Sequence, residues 1–525
     1  MSKKIEPEKF NLTDFQVFFI LGLVGLALYF RSLFFGFTYL DDNVLILDNL
    51  KFLQNWGNVG RAFTEEVFHI LHSSASYYRP LLTLSFMWDA MFSGASPFFY
   101  HLTNVVLHLI ASCLIYKLFT HLKYSKSLAF LFSLIFVVHP VLTQAVSWVP
   151  GRNDSLLAVF ALAAFTYFIK WFEARNWKYL VGHILFFAAA MFTKESGLVI
   201  PVLCGFWWWV RGERRVSREM WGIFTGWGFV GLLWFLLRHV ALKEPAALTA
   251  PDAMWSVVKN LPAVIQFIGK IFFPFNLSVL PIMQDTTFVW GGLAVIGLGV
   301  IGVSWVRRES WGRILFGLVW FLAFLLPSFI RPNPALAADF IEHRVYVPLI
   351  GLFIILAETS LLRNFDWRKP VYLYGSLGVL GVFGVINFVH QGNFSDRLVF
   401  WHNAAINSPH YPLAQRNLGA MYYLSGDLNS AETYYKKSLE LNPTEQMVHN
   451  NLGLIYAAWG QNDKAEAEYK AELFLYPNYD NANFNLGLLY YKEGRVAEAK
   501  VLWEKTLQIN PDYADAAKAL EVTGR

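Results

Sequence analysis

The chain has 525 residues, of which 55% are hydrophobic and 15% charged, with a formal net charge of +5. Mean hydropathy is +0.38, and soluble domains carry roughly a quarter charged residues, so the balance excludes an ordinary soluble domain and indicates a polytopic membrane protein. Basic residues recur in loops and form no single stripe, which argues against nucleic acid as a partner.

Lys3, Lys4 and Lys9 precede a first apolar run from about Phe15 to Phe30. Arg31 and the bulky Phe34, Phe35 and Phe37 stand where a cleavage site would need small residues, so the run reads as an uncleaved signal anchor. Cys113 and Cys204 both fall inside apolar segments and offer no disulfide framework. After the first span comes a loop, 35–96, large enough to hold a site, and it opens with Asp41-Asp42. A carboxylate pair at the lipid–water boundary is costly unless it is solvated or used.

Further candidate spans are 97–119, 127–149, 155–171, 178–193, 197–210, 221–240, 289–306, 314–330, 345–362 and 371–389. Segment 255–280 is apolar but interrupted by Pro262, Lys270 and Pro274. Lys123 and Lys126, then Lys170, Arg175 and Lys178, then Arg211, Arg214, Arg215 and Arg218 share the side of the N-terminus when spans alternate. If 255–280 does not cross, Arg307, Arg308 and Arg313 and later Arg363, Arg368 and Lys369 join them, as the positive-inside rule prefers. The expectation is eleven crossings with the C-terminus outside. It collects Asp41-Asp42, Arg79, Arg152-Asn153-Asp154, Lys194-Glu195 and Glu342-His343-Arg344 on one extracytoplasmic face.

From about residue 390 the chain turns polar and repeats every thirty-four residues. Pro409, Pro443, Pro477 and Pro511 keep this interval, as do Gly419, Gly453 and Gly487, Ala431, Ala465 and Ala499, and the bulky Tyr435, Tyr469 and Trp503. Small residues let paired helices approach, and aromatics fill the space between them. The pattern resembles tetratricopeptide repeats at 412–445, 446–479 and 480–513, with a half-repeat at 394–408 and a closing helix at 514–525. Glu472 departs from it and is expected to loosen its surroundings.

In an extracytoplasmic cleft, Asp41 and Asp42 have the chemistry to accept a hydroxyl proton as an acceptor attacks; the alternative is a helix cap. Arg79, Arg152, Lys194, Arg331 and Arg344 have the charge to hold a leaving phosphate, and His343 the capacity to hydrogen-bond it. Each alone also suits a headgroup anchor or an ion pair. Asn153, Asp154, Glu195 and Glu342 have supporting places beside them. His101, Asn104 and His108 share a helix face, and with His139 and Gln144 form a conceivable metal set. Interhelical hydrogen bonding explains that stripe without an ion, and no metal is expected. No Walker-type loop or Cys-x-x-Cys is present.

The order of Tyr39-Leu40-Asp41-Asp42-Asn43, Tyr78-Arg79-Pro80-Leu81, His101-Leu102-Thr103-Asn104, His139-Pro140, Gly151-Arg152-Asn153-Asp154, Lys194-Glu195 and Glu342-His343-Arg344-Val345-Tyr346 resembles the GT-C class of membrane glycosyltransferases. Most similar is the cadherin-targeting family of transmembrane, tetratricopeptide-bearing O-mannosyltransferases. Segment 241–288 has least to match, and Gln144 stands where relatives often carry an acidic residue. The resemblance implies an inverting transferase, a polyprenyl-phosphate sugar as donor and no separate cofactor. It also implies an acceptor-side role for Asp41-Asp42 and basic residues on the lipid phosphate.

The expectation is therefore an all-α protein: a transmembrane GT-C bundle over 1–392, then a repeat solenoid over 393–525. A mannose-like sugar would pass to a protein hydroxyl, the repeats recruiting the acceptor, and membrane lipids would surround the bundle. The alternatives are a lipid or glycan acceptor, or a non-enzymatic repeat scaffold. The expected location is a bacterial plasma membrane with the repeats outside, the alternative being the endoplasmic reticulum membrane.

Overall fold

The computed structural model describes residues 10–71, 77–212, 220–242, 249–305, 310–330 and 340–524. It is helical, with no β-strand among the described residues, and divides into two compact units, the second beginning at Trp401. Arg331 and the loop cations Arg214, Arg215, Arg218, Arg307 and Arg308 lie outside the described residues, as do Lys3, Lys4 and Lys9.

The first unit is built from α1 (Asp14–Tyr29), α2 (Pro80–Ser93), α3 (Phe98–His121), α4 (Lys126–Val138), α5 (Arg152–Ala174), α6 (Trp177–Thr193), α7 (Val199–Val210), α8 (Met220–Ala241), α9 (Ala250–Asn260), α10 (Ala263–Phe272), α11 (Val289–Trp305), α12 (Trp311–Leu325), α13 (Leu349–Ala357) and α14 (Pro370–Gln391). Six helical runs among the described residues are long and apolar enough to cross a membrane: Asp14–Phe34, Phe98–His121, Val149–Ala174, Met220–Ala241, Trp311–Phe329 and Pro370–Phe394. A seventh arises if Lys126–Val138 and Pro140–Ser147, bent by 54°, form one broken span. Pro140 causes that bend, because it has no N–H to continue the helical ladder.

Several expected spans are shorter than the roughly twenty residues a crossing requires. Trp177–Thr193 and Val289–Gly302 are apolar but short, and within the stretch expected over 345–362 the longest helix is the nine-residue α13. Segment 255–280 holds the second half of α9 and all of α10, with Pro262 between them and neither helix long enough to span.

Aromatic packing holds the bundle centre. The Phe165 ring lies 5.6 Å from Phe316 and 5.3 Å from Trp320, and Trp207 lies 5.1 Å from Phe316. Buried polar side chains join helices where lipid offers no hydrogen bonds. Asn387 donates to the Tyr29 hydroxyl at 2.8 Å, and Trp227 Nε1 donates to His183 Nε2 at 2.9 Å.

The second unit carries antiparallel pairs: α16 (Pro412–Leu424) with α17 (Leu428–Leu441), α18 (Val448–Ala458) with α19 (Asn462–Leu475), and α20 (Asp480–Lys492) with α21 (Val496–Ile509). α15 (Arg397–Asn407) precedes them and α22 (Ala514–Gly524) follows. The packing explains the thirty-four-residue interval. A Cβ at Gly419, Gly453 or Gly487 would come within 2.9, 2.6 and 2.6 Å of Tyr435, Tyr469 and Trp503.

Glu472 does not loosen this packing. It is fully buried, and its carboxylate accepts the backbone N–H of Met447 at 2.8 Å and of Asn450 at 3.1 Å. A helix start leaves its first N–H groups without intrahelical partners, and Glu472 satisfies two of them at the start of α18.

Candidate active site

Arg79, Asn153, Asp154, Lys194, Glu195 and His343 come together around the starts of α2 and α5, the end of α6 and the turn at His343. Gly151 makes the approach to α5 possible: a Cβ there would lie 2.6 Å from the Gln144 carbonyl oxygen. The chain can therefore fold back tightly from the short helix Thr143–Ser147 and present Arg152, Asn153 and Asp154 in one helical turn.

Asn153 and Asp154 face the end of α6. Lys194 Nζ lies 2.7 Å from Asp154 Oδ1 and 3.5 Å from Asn153 Oδ1. Asp154 Oδ2 lies 3.4 Å from His343 Nε2, on the turn Glu342–Val345. Arg79, which precedes α2, pairs with Glu195 at 3.3 Å. Four stretches far apart in sequence thus supply one mixed-charge cluster.

Burial gives the cluster its electrostatics. It draws the Lys194 ammonium below its ordinary range, with Arg79 acting in the same direction and Asp154 opposing. Burial likewise pushes His343 well below the usual imidazole range, reinforced by Lys194, Arg344 and Arg79, so its ring is neutral. Burial acts to lower Arg79, but Glu195, Tyr77 and Asp154 together outweigh it and raise the guanidinium above its ordinary range. Arg344 is half-buried and close enough to act on both Lys194 and His343. Arg79 Nε, Glu195 Oε1 and His343 Nδ1 have no hydrogen bond among the described residues, which leaves hydrogen-bonding groups for a bound molecule.

Arg152 corrects the expectation that it would hold a phosphate. Its side chain is fully buried and pairs with the equally buried Asp89 at 2.5 Å. Nε donates to Asn104 Oδ1 at 2.7 Å, Nη1 to the Ser85 carbonyl at 3.1 Å, and Nη2 to the Tyr100 carbonyl at 2.7 Å. With those donors engaged, Arg152 joins α2, α3 and α5 and positions Asn153 and Asp154.

Asp41 and Asp42 also separate. Tyr39 adopts a left-handed backbone with φ 60°, uncommon for a non-glycine residue, and turns the chain so that Thr38 can reach Asp42. The Thr38 N–H and hydroxyl donate to Asp42 Oδ2 at 2.7 and 3.1 Å. Asp42 is fully buried, and burial lifts its carboxyl above the ordinary range. It fixes the turn and presents nothing outward, whereas Asp41 is only half-buried. This turn sits at the same end of the bundle as the cluster. The Phe35 ring lies 6.2 Å from His101 and Phe37 lies 5.8 Å from Tyr100, whose carbonyl holds Arg152. Asp41 follows Phe37 by four residues, at most about 14 Å of chain.

His101 is buried against Phe35 at the start of α3. Asn104 and His108 make interhelical bonds: Asn104 Nδ2 donates to the Val146, Trp148 and Val149 carbonyls, and His108 Nδ1 lies 2.7 Å from the Tyr346 hydroxyl.

A buried network supports the His343 turn. Glu342 Oε1 accepts from Lys270 Nζ at 2.8 Å and from the Ser278 N–H at 2.9 Å, and Oε2 lies 3.2 Å from His390 Nε2. Burial would raise the Glu342 carboxyl, but Lys270 and His390 hold it below the ordinary range. Gln144 Oε1 accepts the Glu342 N–H at 3.0 Å, and its Nε2 donates to the Val279 carbonyl at 2.9 Å. Sequence reasoning missed Asp89 and gave Lys270 and His390 no role. Their one signal was an ionisable side chain within an apolar stretch.

Comparisons with known proteins bear on this arrangement. Residues 80–239, which hold Asp89, Arg152, Asp154, Lys194 and Glu195, match the family model described as dolichyl-phosphate-mannose-protein mannosyltransferase. Residues 412–445, 434–467 and 481–521 match tetratricopeptide repeats. Protein O-mannosyl-transferase TMTC3 of Mus musculus is 33% identical over 211 residues, 38% of this chain and 22% of that protein. TMTC2 of Homo sapiens is 34% identical over 197 residues, covering 34% of this chain and 22% of the relative. F38B6.6 of Caenorhabditis elegans is 24% identical over 388 residues, covering 71% and 55%. The chain spans about a fifth of the length of the mouse and human O-mannosyl-transferases it matches.

Proposed function

We propose that the protein is an inverting glycosyltransferase that moves a mannose-like sugar from a polyprenyl-phosphate donor to a protein hydroxyl. Asp41 takes the hydroxyl proton as the acceptor oxygen attacks the anomeric carbon, and the sugar–phosphate bond breaks with the electron pair leaving on the lipid phosphate. Arg79, Lys194 and Arg344 carry the positive charge that phosphate needs, and neutral His343 offers it a hydrogen bond. In a water-poor site such preorganised groups count for more than in bulk solvent. A phosphate leaving group needs no general acid, so one carboxylate with cations is sufficient chemistry.

The observation that carries this reading is the single cluster of Arg79, Asp154, Lys194, Glu195 and His343, at the bundle end that also holds the Asp41 turn. The repeats recruit the acceptor polypeptide, and a bacterial plasma membrane with this face outward is the proposed setting. The test is to incubate purified protein with a panel of polyprenyl-phosphate sugars and an acceptor polypeptide and to measure freed lipid phosphate and glycosylated product. Product from one donor, lost in Asp41→Asn, is expected. Equal turnover by parent and variant would remove Asp41 from the reaction, and no product from any donor would reject the transferase.

A further inference from the structure

Lys123, Arg211 and Arg313 line one cavity of about 350 Å³, walled also by Leu122, Trp207 and Gly312. The volume falls among small-ligand sites, roughly 300–1,000 Å³. Three separate stretches supply the cations: the turn after α3, the residue after α7 and the first turn of α12.

Among the described residues, countercharge around the cavity is incomplete. Lys123 pairs with Glu173 at 3.1 Å. Arg313 pairs with Glu358 at 3.0 Å, but that carboxylate also lies 3.8 Å from Arg363 and accepts from the Tyr124 hydroxyl at 2.8 Å. Arg211 is exposed and has no ion pair among the described residues.

The cavity is remote from the candidate active site. α3 begins beside Arg152, through the Tyr100 carbonyl, and Lys123 follows its far end. The 24 residues of α3 make a helix about 36 Å long, comparable to the hydrocarbon thickness of a bilayer. α5 repeats the relation, with Asp154 in its first turn and Glu173 near its last residue.

Two guanidinium groups and an ammonium around a walled space suit a tetrahedral oxyanion, since arginine can give two parallel N–H bonds to phosphate. Basic pockets between spans are a recurring way to hold phosphate headgroups. We propose that this cavity binds a phosphate anion, carried by a lipid headgroup or free in solution, at the membrane face opposite the candidate active site. The site does not depend on the transfer reaction.

Native mass spectrometry of the purified full chain in a neutral detergent tests it, with phosphatidic acid, diacylglycerol and inorganic phosphate as probes. Phosphatidic acid should be held at a concentration roughly tenfold or more below diacylglycerol, which lacks only the phosphate. Lys123→Gln/Arg211→Gln, at two exposed positions, should remove that preference. Arg211→Gln alone gives the same test should the double variant unfold. Displacement of phosphatidic acid by inorganic phosphate would show that free phosphate also enters, and retention against it would mark the lipid as the source. Equal retention of diacylglycerol, an unchanged preference in the variants, or no binding of either phosphate probe would overturn the proposal.

Discussion

Arg152 Nη2 lies 2.5 Å from Asp89 Oδ2, with neither side chain exposed to solvent. The pair ties α5 to α2, and its arginine also holds α3 through Asn104 and Tyr100. Removing one member of a buried pair leaves the other charge uncompensated, which typically costs 3–5 kcal/mol, or about that order here. Asp89→Asn is therefore expected to lower thermal stability in detergent well before it touches donor binding. The check is unfolding temperature measured alongside donor KM. A normal unfolding temperature with a raised KM would return Arg152 to the substrate.

Asp41 and Asp42 differ in kind although adjacent. Asp41→Asn should lower the unfolding temperature less than Asp42→Asn does and reduce turnover by roughly 10²–10⁴-fold, the usual contribution of a positioned base. Asp42→Asn should instead weaken the Thr38 bonds that shape the turn, lowering stability and turnover together. Measuring both quantities for both variants separates the roles, and matching profiles would contradict them.

Lys194 bridges Asp154 and the space beside Arg79 and His343. Lys194→Met removes the ammonium while keeping an apolar stem. A hydrogen bond to a charged group is worth about 1.5–3 kcal/mol, so donor use measured as kcat/KM should fall roughly ten- to a hundredfold. Arg79→Gln should act in the same direction and also free Glu195. Unchanged kcat/KM in both variants would detach this cluster from the donor.

The fold was legible where period and composition speak. The thirty-four-residue interval located the repeats, and apolar runs located most of the helices of the bundle. Arg152 was not legible, because a guanidinium at a span end has the same sequence appearance whether it meets a phosphate or Asp89. The deciding partners lie 48 and 63 residues away, at Asn104 and Asp89, and only packing brings them together. The same holds for Gln144, whose amide fixes the Glu342 turn almost two hundred residues later. Asp41 and Asp42 were separable only once the left-handed Tyr39 turned one carboxylate inward.

Glu472 yields a sharper test of such long-range partners. A small residue, the usual occupant of this repeat position, would leave the N–H groups of Met447 and Asn450 without their acceptor. Glu472→Ala should therefore destabilise the repeat unit by about 1–3 kcal/mol, the cost of unsatisfied buried donors. Faster amide hydrogen exchange in α18 of the full chain is the expected sign, and unchanged or slower exchange would refute the capping role.

His449, on the same helix, gives the repeats a pH dependence of defined sign. Its Nδ1 lies 2.6 Å from Glu468 Oε2, and that hydrogen bond, outweighing partial burial, raises the imidazole above its ordinary value of 6.5. A raised pKa means that the folded form binds more protons than the unfolded chain between the two values. The stabilisation is fully present below about pH 6.5, the unfolded value, and is lost as pH rises through the folded value. Amide exchange in α18 and α19 should thus accelerate, beyond its intrinsic pH dependence, on moving from pH 6 to above neutrality. His449→Gln should abolish that excess, because a glutamine keeps a donor for Glu468 but has no proton to lose. If the variant retains the same excess, the titration belongs to another group.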